Sequence, residues 1–227
     1  MFQGFYLKTC YHLFLPNREN FAVCTGATLL AIALGALWEG RRRPPFADCL
    51  LRAAVSLGLV YSAFPALAGL FHQSALLGLG PAGTLPLKLA FAVLLDTPMI
   101  FLGAALPALL RHEGSIARDS GRLLFVSGLA NALGFLAFVF LLHPGLSLFT
   151  VPAAAALLWL IAALWHAGPD FILRRAATGA LAGLLLVLAF RQDESLVYAM
   201  HMPCSREAKI TTYKSASDDA TYIAEGR

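Results

Sequence analysis

The stretch LPLKLAFAVLLDTPMIFLGAALPALL, over residues 85–110, decides the fold class. At 1.5 Å per helical residue, an apolar run of about 20 residues is enough to cross roughly 30 Å of hydrocarbon. Similar apolar runs recur between short polar breaks, at about 21–38, 49–71, 122–143, 146–167 and 171–190. Runs this long and this uniformly apolar do not suit barrel strands. The sequence therefore predicts an all-α, polytopic transmembrane bundle of about six spans, followed by a short C-terminal β-hairpin.

Composition excludes an ordinary soluble domain. Hydrophobic residues make up 59% of the 227 residues and charged residues 13%, where soluble domains carry roughly 25% charge. The mean hydropathy is +0.70. The formal net charge of +4 comes from cations at the span ends, where they report topology and contact with anionic lipid. The expected surroundings are a lipid bilayer, and nucleic-acid binding is a poor inference from this charge.

The distribution of cationic residues predicts the orientation. The breaks after the first, third and fifth spans hold nine of the 17 Lys and Arg residues, and the other short connections hold Lys88 alone. The positive-inside rule places those three breaks in the cytoplasm and both chain ends outside. If the N-terminal segment crosses the membrane, only the N-terminus moves inside. We expect an integral membrane protein, of the bacterial inner membrane, with its C-terminal tail outside.

The chain divides into three regions by composition. Residues 1–20 mix aromatic side chains with Lys8 and His12, which is typical of an interfacial helix, with a half-span as the alternative. Residues 21–190 form the predicted helical membrane domain. Residues 191–227 are a polar tail.

The polar tail carries a hairpin signal. Residues 208–213 and 220–224 alternate in polarity, and a polar turn at 215–219 separates them. An isolated hairpin is marginal in water. We therefore expect the 208–224 hairpin to contact a partner surface, provided by another protein or by the membrane domain.

Small residues four positions apart mark helix edges that allow close backbone approach in lipid, where no hydrophobic force drives helices together. Such edges are formed by Ala27, Ala31 and Gly35 in the first span, Gly128 and Ala132 in the fourth, and Gly179 and Gly183 in the sixth. We expect these edges to pack the bundle, with an oligomer interface as the alternative.

One acidic residue, Asp96, lies in the middle of a span, directly before Thr97 and Pro98. A carboxyl at this depth costs on the order of 2.5–3.5 kcal/mol on insertion scales, so it should face the bundle interior, a partner or water. One hypothesis is a cation or proton site in a helix broken by proline. The alternative is a protonated or hydrogen-bonded carboxyl that pins the third span to Ser127 or Asn131 of the fourth.

A second candidate site lies in the tail, where soft sulfur donors surround an imidazole. These are the ligand types that suit copper(I), although their spacing matches no defined metal site. The residues are Met200, His201, Met202 and Cys204. Metal ligation is one hypothesis, and an interfacial linker is the other. No nucleotide-binding, hydrolase or metalloprotease motif occurs on a credible element, so no catalytic residue and no cofactor is assigned.

From the third span onward, several segments follow an order known from one family. They are FLGAALPALL at 101–110, the opening Gly121-Arg122-Leu123 of the next span, its end at Leu142-His143-Pro144, and Val197-Tyr198 before the hairpin. This order resembles the membrane-embedded spermidine synthase-like proteins, in which a multi-span domain precedes an aminopropyltransferase domain that opens with a small β-domain. The family's glycine-rich loop and catalytic aspartate would lie beyond the matched segments, so neither is carried over to a residue here.

The resemblance implies a membrane anchor or scaffold without a catalytic domain of its own. Aminopropyl transfer is implied for the family alone. Two alternatives remain open: an accessory subunit of a larger membrane complex, a redox complex included, and a small transporter that uses Asp96.

Overall fold

The computed structural model describes residues 6–7, 9–10, 13–14, 18–75, 81–110, 116–137, 140, 150–167, 179, 183, 209–213 and 221–225. Within these ranges the chain forms seven numbered helices: α1 (Arg18–Arg42), α2 (Phe46–Ser62), α3 (Phe64–Ala75), α4 (Pro81–Leu95), α5 (Thr97–Leu110), α6 (Ile116–Ala137) and α7 (Thr150–His166). Two strands follow, β1 (Lys209–Tyr213) and β2 (Thr221–Glu225). The all-α class predicted for the main part of the chain is therefore confirmed.

Of the described helices, α1 alone is long and apolar enough to cross a membrane by itself. The number rises to three if each of two bent pairs counts as one span, namely Phe46–Ser62 with Phe64–Phe71 and Gly83–Leu95 with Thr97–Leu110. The apolar parts of α6 and α7 are shorter. The predicted sixth span lies outside the described residues, apart from Gly179 and Gly183. The count of six spans stays a prediction, and the second and third predicted spans are not continuous helices.

The break between α2 and α3 falls at Ala63, two residues before Pro65, and bends the chain by 56°. Proline has no backbone N–H, so it cannot continue the hydrogen-bond ladder of a helix. The Ala63 N–H and the Ser62 hydroxyl both donate to the Leu59 carbonyl, at 3.1 Å each. A hydroxyl therefore helps to complete the last turn of α2 before the bend.

The break between α4 and α5 falls at Asp96, also two residues before a proline, and bends the chain by 57°. Pro98 cannot donate to the carbonyl of Leu94, four residues earlier. The Thr97 hydroxyl donates to that carbonyl instead, at 2.6 Å. A side-chain hydroxyl thus replaces the missing amide, which makes the bend tolerable in an apolar environment.

Helices α1 and α5 approach one another so closely that there is no room for a side chain at two positions, both of them glycine. A Cβ at Gly35 would lie 1.9 Å from the Ile100 carbonyl oxygen, and a Cβ at Gly103 would lie 2.7 Å from the Ile32 carbonyl oxygen. Each helix therefore presents a glycine to the backbone of the other. We call this contact the glycine seam.

The turn between α1 and α2 is fixed by charged groups. Arg43 adopts a φ of +47°, and its N–H donates to the Glu39 carbonyl at 2.8 Å, which ends α1. Asp48 accepts from the Arg52 guanidinium at 2.8 Å, and that guanidinium lies 5.3 Å from the Trp38 ring centroid. The ion pair and the cation–π contact fix the start of α2 beside the end of α1.

The strands β1 and β2 pair antiparallel, with Lys209 opposite Glu225 and Tyr213 opposite Thr221. They overlap the two stretches for which the sequence predicts a hairpin, and β2 extends one residue further, to Glu225. The contact of this hairpin with a partner surface stays a prediction.

Candidate functional site

Asp96 lies at the break between α4 and α5, and its side chain is fully buried. Its backbone is held on both sides, because its N–H donates to the Ala92 carbonyl at 3.0 Å and its own carbonyl accepts from the Met99 N–H at 2.9 Å. Neither carboxyl oxygen has a hydrogen-bond partner among the residues that the structure describes. Buried polar groups are nearly always satisfied, so this carboxyl stands out.

Five other polar side chains interact with the Asp96 carboxyl. The Thr28 hydroxyl interacts with it without the geometry of a hydrogen bond. Two phenols and two thiols lie close enough to interact with it electrostatically. All are buried. Together with Asp96 they form the Asp96 cluster, which consists of Tyr6, Cys10, Cys24, Thr28, Tyr61 and Asp96.

The N-terminal segment supplies two members of the cluster. Five of its six described side chains recur at helical spacing and are buried, and the sixth, Leu7, is partly buried. The five are Tyr6, Thr9, Cys10, Leu13 and Phe14. The Tyr6 hydroxyl donates to the Ala92 carbonyl at 3.1 Å and lies 3.5 Å from the Cys24 carbonyl. The sequence favours an interfacial helix over residues 1–20, but these side chains lie in the interior of the bundle.

Helix α1 supplies a polar stripe at one-turn spacing, formed by Asn20, Cys24 and Thr28, all of them buried. Helix α4 faces it with Lys88, and Asp96 follows two turns later at the end of the same helix. The Lys88 ammonium donates to the Asn20 side-chain oxygen at 2.9 Å.

The polar residues of α1 and α4 come together at three levels along the two helices. At the first level, Lys88 donates to Asn20. At the second, the Tyr6 hydroxyl lies between the Ala92 and Cys24 carbonyls, and at the third, Thr28 interacts with Asp96. Eight residues of helix separate the first level from the third, or roughly 12 Å at 1.5 Å per residue. We call this the polar seam.

The polar seam is not among the sequence predictions, although it has a signal in the sequence. Lys88 and Asp96 are eight residues apart, as are Asn20 and Thr28, so each pair lies on one helix face. The cationic pattern assigns Lys88 to a connection between spans, and Asn20, Cys24 and Thr28 are not among the predicted site residues.

The predicted pairing of Asp96 with Ser127 or Asn131 is not found in the structure. Both residues lie exposed on α6 and line an apolar cleft of about 660 Å³ between α5, α6 and α7, together with Gly103 and Trp159. Asp96 instead faces α1 and the N-terminal segment. The structure does not bring these residues together, because the bend at Asp96 turns its side chain toward Thr28 of α1.

The predicted small-residue edges have different surroundings. Ala27, Ala31 and Gly35 are buried, and Gly35 belongs to the glycine seam. Gly128 and Ala132 lie exposed on α6. A Cβ added at Gly128, Gly179 or Gly183 would meet no described atom within 4 Å. Only the edge on α1 therefore makes a close helix contact within the described part of the chain.

The predicted metal site in the tail, with Met200, His201, Met202 and Cys204, lies outside the described residues. Within the described ranges, no group of three or more His, Cys, Asp or Glu residues could hold a metal ion. The copper(I) hypothesis for the tail stays a prediction.

Comparison with known proteins gives no match for this chain among family models, curated proteins or solved structures. The likeness to spermidine synthase-like membrane domains therefore stays a prediction that rests on the sequence segments alone.

Proposed function

We propose that this protein is an integral membrane protein that binds and moves a small cation, a proton included, at Asp96. The observation that supports this proposal is a fully buried carboxyl whose oxygens have no partner among the described residues. A buried charge without a partner is costly, so a site of this kind calls for a ligand that the carboxyl can bind.

The position of the carboxyl supports the same proposal. Tyr61 and Phe64 flank the break between α2 and α3, and Tyr61 also interacts with Asp96, which forms the break between α4 and α5. Both bends therefore lie at the Asp96 cluster. Membrane transporters place their ion sites where helices are broken, since the interrupted backbone can change conformation and can present polar groups at membrane depth.

A cycle of binding and release follows from the burial. With its ligand bound, the carboxyl is neutralised and tolerates the apolar interior. Without it, the charge favours a conformation in which water reaches the site. The two proline-associated breaks are the positions where such an opening requires the fewest backbone changes.

Reconstitution of the full chain into liposomes tests this function. We expect uptake driven by an imposed gradient of protons, Na⁺ or K⁺, and loss of that uptake in Asp96→Asn. Glu19→Gln is the matched control, because Glu19 is exposed at the start of α1. Uptake no faster than in empty liposomes, for every cation tried, would overturn the proposal.

A second candidate function is a membrane anchor or accessory subunit, as the spermidine synthase-like resemblance implies. The observation that favours it is the exposure of α6, where Phe125 is 69% exposed and Leu133 57%. Nearly all side chains that the structure describes on this helix are exposed. A partner helix could cover this face, while the 208–224 hairpin binds the partner's soluble part.

Purification of the chain in mild detergent, followed by mass spectrometry, tests the second candidate. A stoichiometric partner with an aminopropyltransferase domain would support the anchor, and a partner with redox centres would support an accessory subunit. Recovery of the 24.3 kDa chain alone would contradict the accessory subunit and would favour a self-contained anchor or a transporter.

A further inference from the structure

We infer that the ligand of the Asp96 site is a proton, and that it exchanges along the polar seam between α1 and α4, from the Lys88–Asn20 pair to Asp96. This inference rests on the proposed function and narrows the ligand from small cations in general to the proton.

The groups around the carboxyl do not suit a hard metal cation. Na⁺, Mg²⁺ and Ca²⁺ require several carboxylate, carbonyl or water oxygens. At the break, the Ala92 carbonyl already accepts from Tyr6 and from the Asp96 N–H, and the Leu94 carbonyl accepts from Thr97. A proton needs only one carboxyl oxygen.

The other groups that face the carboxyl are also suited to protons. They are the phenol of Tyr6 and the thiol of Cys10 from the N-terminal segment, the thiol of Cys24 and the hydroxyl of Thr28 from α1, and the phenol of Tyr61 from α2. Hydroxyl and thiol groups can both donate and accept a hydrogen bond. Thiols are soft ligands, which hard cations avoid.

The polar seam offers a path to the carboxyl. Its levels are one helical turn apart. Its shortest contacts are the 2.9 Å hydrogen bond from Lys88 to Asn20 and the 3.1 Å hydrogen bond from Tyr6 to Ala92. Lys88 is only partly buried, whereas Asn20 and Tyr6 are buried. Lys88 is therefore the most exposed member of the seam, and we place the entrance of the path there.

The charge of Lys88 also disfavours metal cations as the ligand. Its ammonium, which donates to Asn20 at the outer end of the polar seam, repels Na⁺ and K⁺. The cation at this end of the seam therefore argues against metal movement along it.

Transport by the full chain in liposomes provides the first test. An internal pH dye reports proton entry and radioactive Na⁺ reports metal entry, each under its own gradient. We expect proton entry without any need for Na⁺, and loss of it in Asp96→Asn. Tyr6→Phe and Lys88→Met should slow proton entry at least about tenfold, since a well-placed proton relay contributes 10²-fold or more.

The matched control for these variants is Ser56→Ala. Ser56 is buried on α2, and its hydroxyl donates to the Ala53 carbonyl of its own helix at 2.9 Å and not to a group of the polar seam. It should leave proton entry unchanged. Thermal unfolding in detergent shows whether each variant is folded, and rates are compared only among folded variants.

The outcomes separate this inference from the proposed function. Entry of Na⁺ or K⁺ without protons would leave the proposed function standing and overturn the proton inference. Proton entry that is unaffected by both Tyr6→Phe and Lys88→Met would overturn the seam as its path. Entry of neither protons nor metal cations would overturn the proposed function itself.

Chemical labelling tests the inference without a transport assay. Dicyclohexylcarbodiimide adds a protonated carboxylic acid across one of its C=N bonds, and the O-acylisourea rearranges to a stable N-acylurea without loss of atoms. We expect mass spectrometry to find the label on Asp96. The extent of labelling should decrease as the pH rises, and Na⁺ should not change it. Protection of Asp96 by Na⁺, or failure of Asp96 to react at acid pH, would overturn the inference.

Discussion

Helix α1 makes two seams with the bent pair α4–α5. One is a close contact between backbones, and the other consists of polar side chains. Toward α5 it presents Gly35, whose missing side chain brings two backbones into contact. Toward α4 it presents Asn20, Cys24 and Thr28, which face Lys88 and the Asp96 break. One helix thus combines a contact that tolerates no added atom with one made of hydrogen-bonding groups.

The difference indicates which part of the bent pair can move. Close backbone packing in lipid depends on many short van der Waals contacts, and a small displacement loses them together. Hydrogen-bonding side chains can change partners at lower cost, as long as each group finds another. A conformational change at the Asp96 bend should therefore shift α4 while α5 stays on α1.

The largest expected effect comes from breaking the glycine seam. Gly35→Ala places a Cβ 1.9 Å from the Ile100 carbonyl oxygen, so α1 and α5 must separate. Overpacking typically lowers the free energy of unfolding by about 1–3 kcal/mol and sometimes more. Because the atoms that the new Cβ would meet are backbone atoms of α5, we expect a loss at the upper end of this range. Thermal unfolding in detergent should show a strongly lowered midpoint or no folded protein.

Gly26→Ala is the control for that variant. It lies on the same helix, and a Cβ there would meet no described atom within 4 Å. Alanine favours a helix over glycine by about 1 kcal/mol, so this variant should be neutral or slightly stabilised. Equal destabilisation by both substitutions would mean that Gly35 matters for the helix and not for the seam.

The next effect has the opposite sign and concerns the polar seam. Asp96→Leu removes a buried carboxyl whose insertion costs about 2.5–3.5 kcal/mol, and we expect higher thermal stability together with loss of cation uptake. Functional sites commonly sacrifice stability in this way. A loss of stability would show instead that the carboxyl holds the bundle together, and it would favour a structural role for Asp96.

Thr97→Val tests the hydroxyl at the bend. The substitution keeps the size of the side chain but removes the hydroxyl that donates to the Leu94 carbonyl. Pro98 has no N–H and cannot donate in its place. An unsatisfied acceptor costs about 1–3 kcal/mol, so we expect a moderate loss of stability. The double variant Thr97→Val with Pro98→Ala restores an amide donor and should recover part of that loss. Absence of any recovery would contradict this account of the bend.

The sequence predicted the all-α class of the main part of the chain, because long apolar runs leave few alternatives to helices. It also singled out Asp96, since one acid in the middle of an apolar run is conspicuous. The edge of Ala27, Ala31 and Gly35 was equally legible from its spacing. Each of these features is local, so no knowledge of neighbouring helices was needed.

The neighbours of Asp96 could not be predicted in the same way. Hydropathy treats residues 85–110 as one run, so the bend that turns the carboxyl toward α1 was invisible in it. Tyr6 and Cys10 belong to a segment whose mixed composition favours an interface, yet their side chains are buried beside Asp96. The contacts of the polar seam join parts of the chain that are far apart in sequence, and a single sequence does not show such pairs.

The smallest effect expected on stability comes from Tyr6→Phe, which removes the hydrogen bond to the Ala92 carbonyl. That carbonyl keeps the Asp96 N–H as a donor, so the loss should be only about 1 kcal/mol. Double-variant cycles sharpen the comparison of the two seams. Tyr6→Phe should couple to Asp96→Leu, because both belong to the polar seam. It should be additive with Gly35→Ala, since Gly35 lies eleven residues beyond Cys24, or roughly 16 Å along α1. Coupling of equal size in both cycles, measured as shifts in the free energy of unfolding, would mean that the two seams respond as a single unit.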